Sequence, residues 1–296
     1  LASPRGERAL VLGGGGSAGN AWLIGVIAGL LEGGLDVTGA DLIIGTSAGA
    51  TTAAQITAAS PTELLAATLG AAPQRPTAPA GSGGRPAGAA VVPDHLERTG
   101  RIIAAARDAA DMRRRMGAAA LELDAGSDGS GQARWRAIVA ARLPSQAWPD
   151  RTLLIPVVDA RTGQPVVFDR HSGVELVDAI AASTSSGAPY GIGDDRYIDG
   201  GYRRNENADL ARGYEQVLVL SPLGGRTRHP LEWGMQLAAQ VAELRAGGST
   251  VETILPDAES LGAFGANLMD LSVRAPAAGA GYAQGKRLAG QIGFRP

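Results

Sequence analysis

Asp41-Leu42-Ile43-Ile44-Gly45-Thr46-Ser47-Ala48-Gly49 sets a short apolar run directly ahead of a G-x-S-x-G pattern, and a run of small, helix-forming residues follows over 50–59. Strand, G-x-S-x-G, helix is the order in which this pattern means a nucleophile elbow. The elbow carries a serine on a sharp turn, with its hydroxyl exposed at the end of a sheet. Gly45 and Gly49 keep Cβ atoms out of a cramped backbone. Ser47 is therefore the candidate nucleophile. The chain has 43 glycines among 296 residues. Composition alone can produce five small residues in this order, so the pattern needs support from elsewhere in the chain.

The first support lies upstream. Arg8-Ala9-Leu10-Val11-Leu12 reads as a buried strand and residues 20–31 as an apolar helix, with Gly13-Gly14-Gly15-Gly16-Ser17-Ala18-Gly19 between them. Such a loop presents unobstructed N–H groups at the positive end of a helix, a setting that binds anions. One candidate anion is a dinucleotide pyrophosphate, because Gly14-x-Gly16-x-x-Gly19 fits the G-x-G-x-x-G fingerprint. That fingerprint also requires an acidic residue at the end of the second strand. Here Gly45-Thr46-Ser47 stands there; Glu32 falls on the first helix, and Asp36 and Asp41 precede the second strand. The other candidate is the oxyanion of a tetrahedral acyl intermediate. In a parallel sheet the glycine loop and the elbow share one carboxyl edge. One oxyanion donor is commonly worth roughly 2.7–4 kcal/mol of barrier.

The second support lies downstream. Arg196-Tyr197-Ile198-Asp199-Gly200-Gly201 reads as a short strand that delivers a carboxylate ahead of two glycines. A serine nucleophile needs a base within hydrogen-bond reach. Asp199 can supply it, with Gly200 and Gly201 allowing close approach to Ser47. Taken alone, the same residues also suit a hairpin turn.

The rest of the chain fits an α/β protein. Strands are expected at 152–159, 165–168, 215–220 and 250–255, and helices at 61–70, 94–116, 135–143, 174–183, 231–245, 260–271 and 277–288. Ser60-x-x-Glu63 is a capping box at the start of the 61–70 helix. Residues 71–93, rich in Pro, Gly and Ala, read as a loop or mobile cover, and 185–191 as a flexible loop. Alternation of strands and helices argues for an α/β protein with a mainly parallel sheet. One domain is expected over 1–296, with a variable lid or cap insertion at about 71–150.

Composition narrows the function classes. Hydrophobic residues make up 45% and charged residues 19%, enough for a real core. A net charge of −2 gives no general basicity, so nucleic acid is not an expected partner. Without cysteine there is no thiol nucleophile, disulfide or cysteine-based zinc site. No stretch approaches the ~20 apolar residues of a membrane span. The opening residues 1–7 are short and charged, unlike a signal peptide, and the expected location is cytoplasmic. Arginines at 98, 101, 107 and 113–115 read as a solvated helix face or as a basic surface for lipid head groups.

Three pieces in this order resemble the patatin-like phospholipase family of bacteria: Gly14-Gly15-Gly16-x-x-Gly19, Gly45-x-Ser47-x-Gly49 and Asp199-Gly200-Gly201. Ala181-Ala182-Ser183, Asn205-Glu206-Asn207-Ala208-Asp209-Leu210 and the tail from Pro256-Asp257 to Gln284-Gly285 are also similar. The resemblance spans most of the chain outside roughly 71–150. It implies a three-layer α/β/α fold with a mainly parallel central sheet, and hydrolysis of acyl esters of lipids, of phospholipase A, lysophospholipase or esterase type. It also implies a Ser-Asp dyad in which Ser47 attacks and Asp199 takes the proton, with Gly14, Gly15 and Gly16 as oxyanion donors. Neither metal nor cofactor is implied; the partner is a lipid or small ester, with transient contact to a membrane surface. The family usually carries Lys or Arg where Ala18 stands here, which makes a neutral ester a more credible substrate. Ser185-Ser186-Gly187-Ala188-Pro189 replaces the bulkier Val-Pro-Gly pattern and would widen the mouth.

Four alternatives stand beside this reading. A Ser-His-Asp triad would recruit His171, one of three histidines with His95 and His229. The same acyl-enzyme could pass its acyl group to an alcohol or thiol, making an acyltransferase. The glycine loop could serve a dinucleotide-binding module. Lastly, Ser47 and Asp199 could both be present yet never meet.

Overall fold

The structure is a computed structural model that describes residues 7–71 and 87–294, the side chains of 87–94 excepted. The chain runs β1 (Arg8–Leu12), α1 (Gly16–Glu32), β2 (Leu42–Gly45), α2 (Ala48–Ile56) and α3 (Pro61–Gly70). Three helices follow: α4 (Ala87–Ala105), α5 (Ala109–Asp124) and α6 (Ser130–Ala140). Next come β3 (Thr152–Asp159), β4 (Pro165–Phe168), α7 (Leu176–Ser183), β5 (Tyr190–Ile192) and β6 (Asp195–Asp199). Beyond these lie β7 (Gln216–Leu220), α8 (Leu237–Ala246), β8 (Thr250–Ile254), α9 (Ala258–Ala263) and α10 (Arg274–Leu288).

Strands β3, β2, β1, β7 and β8 lie side by side in that order, and every pairing among them is parallel. β4 and β6 run antiparallel to β3, and β5 runs antiparallel to β6. The sheet of eight strands is thus mostly parallel, as expected, but strand–helix alternation fails at one end. There the expected loop over 185–191 holds only as far as Pro189, and Tyr190 opens a hairpin in which Ile192 pairs with Asp195 across Gly193 and Asp194. Gly193 takes φ 57°, the left-handed backbone that a two-residue hairpin loop requires.

The central strands alternate between two apolar cores, as a period of two dictates. Leu10, Leu12, Ile43, Leu218 and Leu220 face one core, with α1, α7 and α10. Ala9, Val11, Leu42, Ile44, Val217 and Val219 face the other, with α8. Helices therefore cover both faces, giving the expected three layers. α1 is buried at every position from Ala18 through Leu30, because it lies between the sheet and α10. The two helices touch backbone to backbone. A Cβ at Gly25 would fall 2.1 Å from the Ala278 carbonyl oxygen, and one at Gly285 would fall 2.2 Å from that of Val26.

A third cluster joins Ile103 of α4, Met112 and Met116 of α5, Val158 of β3, Ile198 of β6 and Met235. It seats α4 and α5 against the antiparallel end of the sheet. The single helix expected over 94–116 is in fact two. Asp108 breaks it by capping α5, its carboxylate accepting the Asp111 N–H at 2.7 Å. The loop expected over 71–93 falls mainly outside the described residues, and α4 already occupies its last part, from Ala87. The helix expected over 231–245 is also divided. One 3₁₀ turn, Leu231–Trp233, ends at Gly234 (φ 64°), and α8 starts at Leu237. The expected capping box is present: Ser60 Oγ accepts the Glu63 N–H, and the Glu63 carboxylate accepts the Ser60 N–H. Among the described residues no helix is long and apolar enough to cross a membrane.

Candidate active site

β3 brings the two halves of the site together. β2 runs up β3 as far as Ile44 opposite Leu154, and β6 runs down it as far as Asp199 opposite Val157. The carboxyl ends of β2 and β6 therefore converge on Ile155 and Pro156. At that junction Ser47 Oγ donates a hydrogen bond to Asp199 Oδ2 at 2.7 Å.

Ser47 occupies the turn between β2 and α2 with φ 53° and ψ −115°. A non-glycine residue rarely adopts this backbone, and it costs on the order of 1–3 kcal/mol. Its surroundings hold the turn. The Ser47 N–H donates to Ser183 Oγ at 3.1 Å, and Ser183 Oγ donates in turn to the Pro156 carbonyl at 2.8 Å. Gly45 and Gly49 admit no side chain. A Cβ at Gly49 would lie 1.9 Å from the Leu12 carbonyl oxygen, and one at Gly45 would lie 2.6 Å from Ala50 Cα. Ser47 is also the N-cap of α2, so its hydroxyl sits where the helix end favours negative charge.

Asp199 is buried at the end of β6. Its Oδ1 accepts the Gly201 N–H at 2.8 Å and its Oδ2 accepts the Ser47 hydroxyl. Burial pushes the carboxyl up to about 6, although both hydrogen bonds pull it down. Gly200 packs where a Cβ would meet the Pro156 carbonyl oxygen at 2.1 Å. Both glycines were expected to allow close approach to Ser47; Gly200 instead packs against β3 at Pro156, and Gly201 donates its N–H to Asp199.

The glycine loop lies beside Ser47. A Cβ at Gly14 would be 3.4 Å from Ser47 Cβ and 2.8 Å from Asn205 Oδ1. The loop's amides are unequal. Gly13 donates to the Leu220 carbonyl at 3.0 Å and Gly14 to the Asn205 carbonyl at 3.2 Å. The N–H groups of Gly15 and Gly16 have no acceptor among the described residues. Gly16 has φ +64°, and Gly15 and Gly19 pack against Pro222, where Cβ atoms would lie 2.5 and 3.0 Å from its Cβ.

Three polar residues without an assigned role in the sequence reading fasten loop and elbow together. Asn205 carries the acceptor for Gly14 and donates to Glu206 Oε1 at 2.9 Å. Glu206, 1% exposed, also accepts from Ser221 Oγ and Gln240 Nε2. Asn207, in the left-handed region at φ 54°, donates to Thr46 Oγ1 at 3.0 Å and to the Gly200 carbonyl at 3.2 Å. Asn-Glu-Asn after a D-G-G pattern was the available signal, but nothing in its spacing names the partners. Ser183 likewise ended a helix in sequence, with no sign that it reaches Ser47.

A cleft of about 520 Å³ opens beside Asp199 and Gly201. α4 contributes His95 and Thr99, and the segment after β7 contributes Arg226, Arg228 and His229. Burial lowers His229 to about 4, with Arg228 adding to the effect, and burial likewise lowers His95. Tyr202, whose hydroxyl donates to the Ser186 carbonyl at 2.9 Å, is raised by burial. His171 is elsewhere: it is exposed on the turn after β4, its N–H donating to Asp169. The acidic residues near the dinucleotide fingerprint are also engaged away from the loop. Glu32 pairs with Lys286, Asp36 accepts from Thr38, and Asp41 accepts from the Arg8 N–H.

The chain matches no protein-family model and no curated protein. Its fold is similar to that in the crystal structure of VipD from Legionella pneumophila, with a TM-score of 0.42 and 13% identity, over 98% of this chain and 67% of that one.

Proposed function

We propose that this chain is a serine hydrolase that cleaves carboxylic acyl esters of lipids through an acyl-enzyme on Ser47. The observation that carries the reading is the 2.7 Å hydrogen bond from Ser47 Oγ to Asp199 Oδ2, made by a serine in a strained turn. Ser47 Oγ attacks the ester carbonyl carbon and its proton passes to Asp199 Oδ2. The oxyanion settles on backbone amides, and Gly15 and Gly16 are favoured because the Gly14 N–H is already directed at Asn205. Collapse releases the alcohol, which takes the proton from Asp199. Water then attacks the acyl-enzyme, giving its proton to Asp199, and Ser47 leaves with that proton restored. Asp199 at about 6 is still ionised at neutral pH, yet it is a stronger base than an ordinary carboxylate.

Arg226 and Arg228 favour an ester with an anionic portion over a neutral one. Both line the cleft, and among the described residues their side chains hydrogen-bond to neutral groups: Leu223 for Arg226, and Thr99 and Leu96 for Arg228. They would stand in for the cation missing at Ala18. In this reading α4 and α5 belong to a cap that shapes the mouth.

The test is labelling of the intact protein with a fluorophosphonate ester probe, followed by peptide mass spectrometry beside Ser47→Ala. Adduct on Ser47, lost in the variant, is expected. A folded sample that takes no adduct would sink the nucleophile assignment. Rates on neutral short-chain esters and on charged phospholipids then separate the two substrate types.

A further inference from the structure

We propose that Arg142 and Arg274 form a second anion site, built for the phosphate group of an organic phosphate monoester. Both line a cavity of about 480 Å³ that shares no lining residue with the cleft at Asp199. Arg142 follows α6 and reaches solvent, whereas Arg274 opens α10 and is half-buried.

Two buried amides anchor the pair. Asn20 accepts from Arg274 Nη1 at 3.0 Å, and Gln55 donates to the Arg142 carbonyl at 2.9 Å. Asn20 and Gln55 are bonded to each other at 3.0 Å, so one fixed bridge ties both arginines to the core. Trp135 lies against the Arg142 guanidinium, its ring centroid 5.5 Å from Cζ. Asn20 thus holds the Arg274 guanidinium, Gln55 holds the Arg142 backbone and Trp135 flanks the Arg142 guanidinium, and none of them neutralises a charge.

Neither guanidinium has a carboxylate partner among the described residues, and the charge that bears on Arg274 is that of Arg142. Burial lowers Arg274 below the usual arginine range, and repulsion from Arg142 adds to this. Like charges held together favour binding of an anion. Two planar forks suit a doubly charged group with several acceptor oxygens, which describes a phosphate monoester better than a single carboxylate. Ile24, Leu64, Leu143 and Leu271 are among the other lining residues, an apolar wall that suits an organic portion on the ligand.

The test is titration of the full chain at low salt with inorganic phosphate and with glycerol 3-phosphate, read by calorimetry and thermal shift. Saturable binding and a raised Tm are expected, with affinity at least tenfold weaker in Arg142→Gln and in Arg274→Gln. Arg142 reaches solvent, so its variant keeps the unliganded Tm and reports on the site even if Arg274→Gln folds poorly. Ser47→Ala and Arg226→Gln should bind as the wild type does, which separates this site from the hydrolase reading. Phosphatidylcholine vesicles with and without phosphatidic acid identify the source. Binding that depends on phosphatidic acid and on Arg142 points to a lipid head group; binding of the soluble ester alone points to a free phosphate ester. Absence of binding to every probe, or binding unchanged in both arginine variants, overturns the proposal.

Discussion

Ser47 Oγ and Asp199 Oδ2 lie 2.7 Å apart although 152 residues separate them in sequence, and β3 is what joins them. β2 and β6 run toward each other along β3 and stop at Leu154 and Val157. Serine and carboxylate are thus placed by strand register, on rigid elements, and the turn at Ser47 needs only to aim the hydroxyl.

Ser47→Ala and Asp199→Asn should each lower ester turnover by about 10³-fold or more, since nucleophile and base act as a unit. Asp199→Asn keeps the geometry. Its oxygen can accept the Gly201 N–H while its amide donates to Ser47 Oγ, so the hydroxyl stays in place without a base. Steady-state rates on an activated ester check this. A variant with Asn at 199 and near-normal turnover would remove Asp199 from the mechanism.

The pH profile follows from the same carboxylate. With Asp199 near 6, kcat/KM should climb about tenfold per pH unit below 6 and level off above it. Stability moves the other way. The folded-state value lies above the ordinary 3.8, so the folded protein binds the proton more tightly than the unfolded chain. Stability from this group is complete below about pH 4 and is lost as pH rises through about 6, at most about 3 kcal/mol. Asp199→Asn should accordingly be more stable than wild type at pH 8, with the gap shrinking toward pH 4. Denaturant melts at the two pH values decide; a gap of the opposite sign would contradict the burial argument.

His171→Ala should leave turnover and probe labelling unchanged, because His171 is exposed after β4 and the Ser47 hydroxyl donates to Asp199. A thousandfold loss in a folded variant would reinstate a histidine triad.

What sequence disclosed and what it hid divide along range. The elbow, the D-G-G carboxylate and the Ser60–Glu63 box are local patterns with local causes, and each was legible. Asp108 was also a local signal, an acidic cap inside a charged run, but continuous helix periodicity on both sides masked it. The β5–β6 hairpin was hidden by length: three residues at Tyr190–Ile192 carry too little alternation to read as a strand. Gly193-Asp194 was its one visible mark. Ser183, Asn205 and Asn207 could not be assigned, since each acts on a partner more than 130 residues away.

Ser183→Ala should act on the elbow without touching either reacting group. It removes the acceptor of the Ser47 N–H and the donor to the Pro156 carbonyl. A stability loss of about 1–2 kcal/mol is expected from the two broken bonds. Turnover should fall about 10- to 100-fold through kcat as the serine loses alignment. Because Ser183 is a positioning residue, the pH midpoint set by Asp199 should not move. A shifted midpoint would mean that Ser183 acts on the base as well.

Glu206→Gln tests the fastening between glycine loop and elbow. Glu206 Oε1 accepts from Asn205 and Ser221, and Oε2 accepts from Gln240, all in a buried setting. Glutamine offers one oxygen and one amide, so an N–H must face a donor whichever way the side chain turns. Gln240 cannot readily flip to compensate, because its own Oε1 accepts the Ala208 N–H at 2.8 Å. The cost should be about 1–3 kcal/mol, seen as a lower denaturant midpoint with an unchanged slope. Asn205 also carries the carbonyl that holds Gly14, so labelling of Ser47 should slow in the same variant. Lost stability with an unchanged labelling rate would show that Glu206 supports the core alone and that the loop beside Ser47 is held by other contacts.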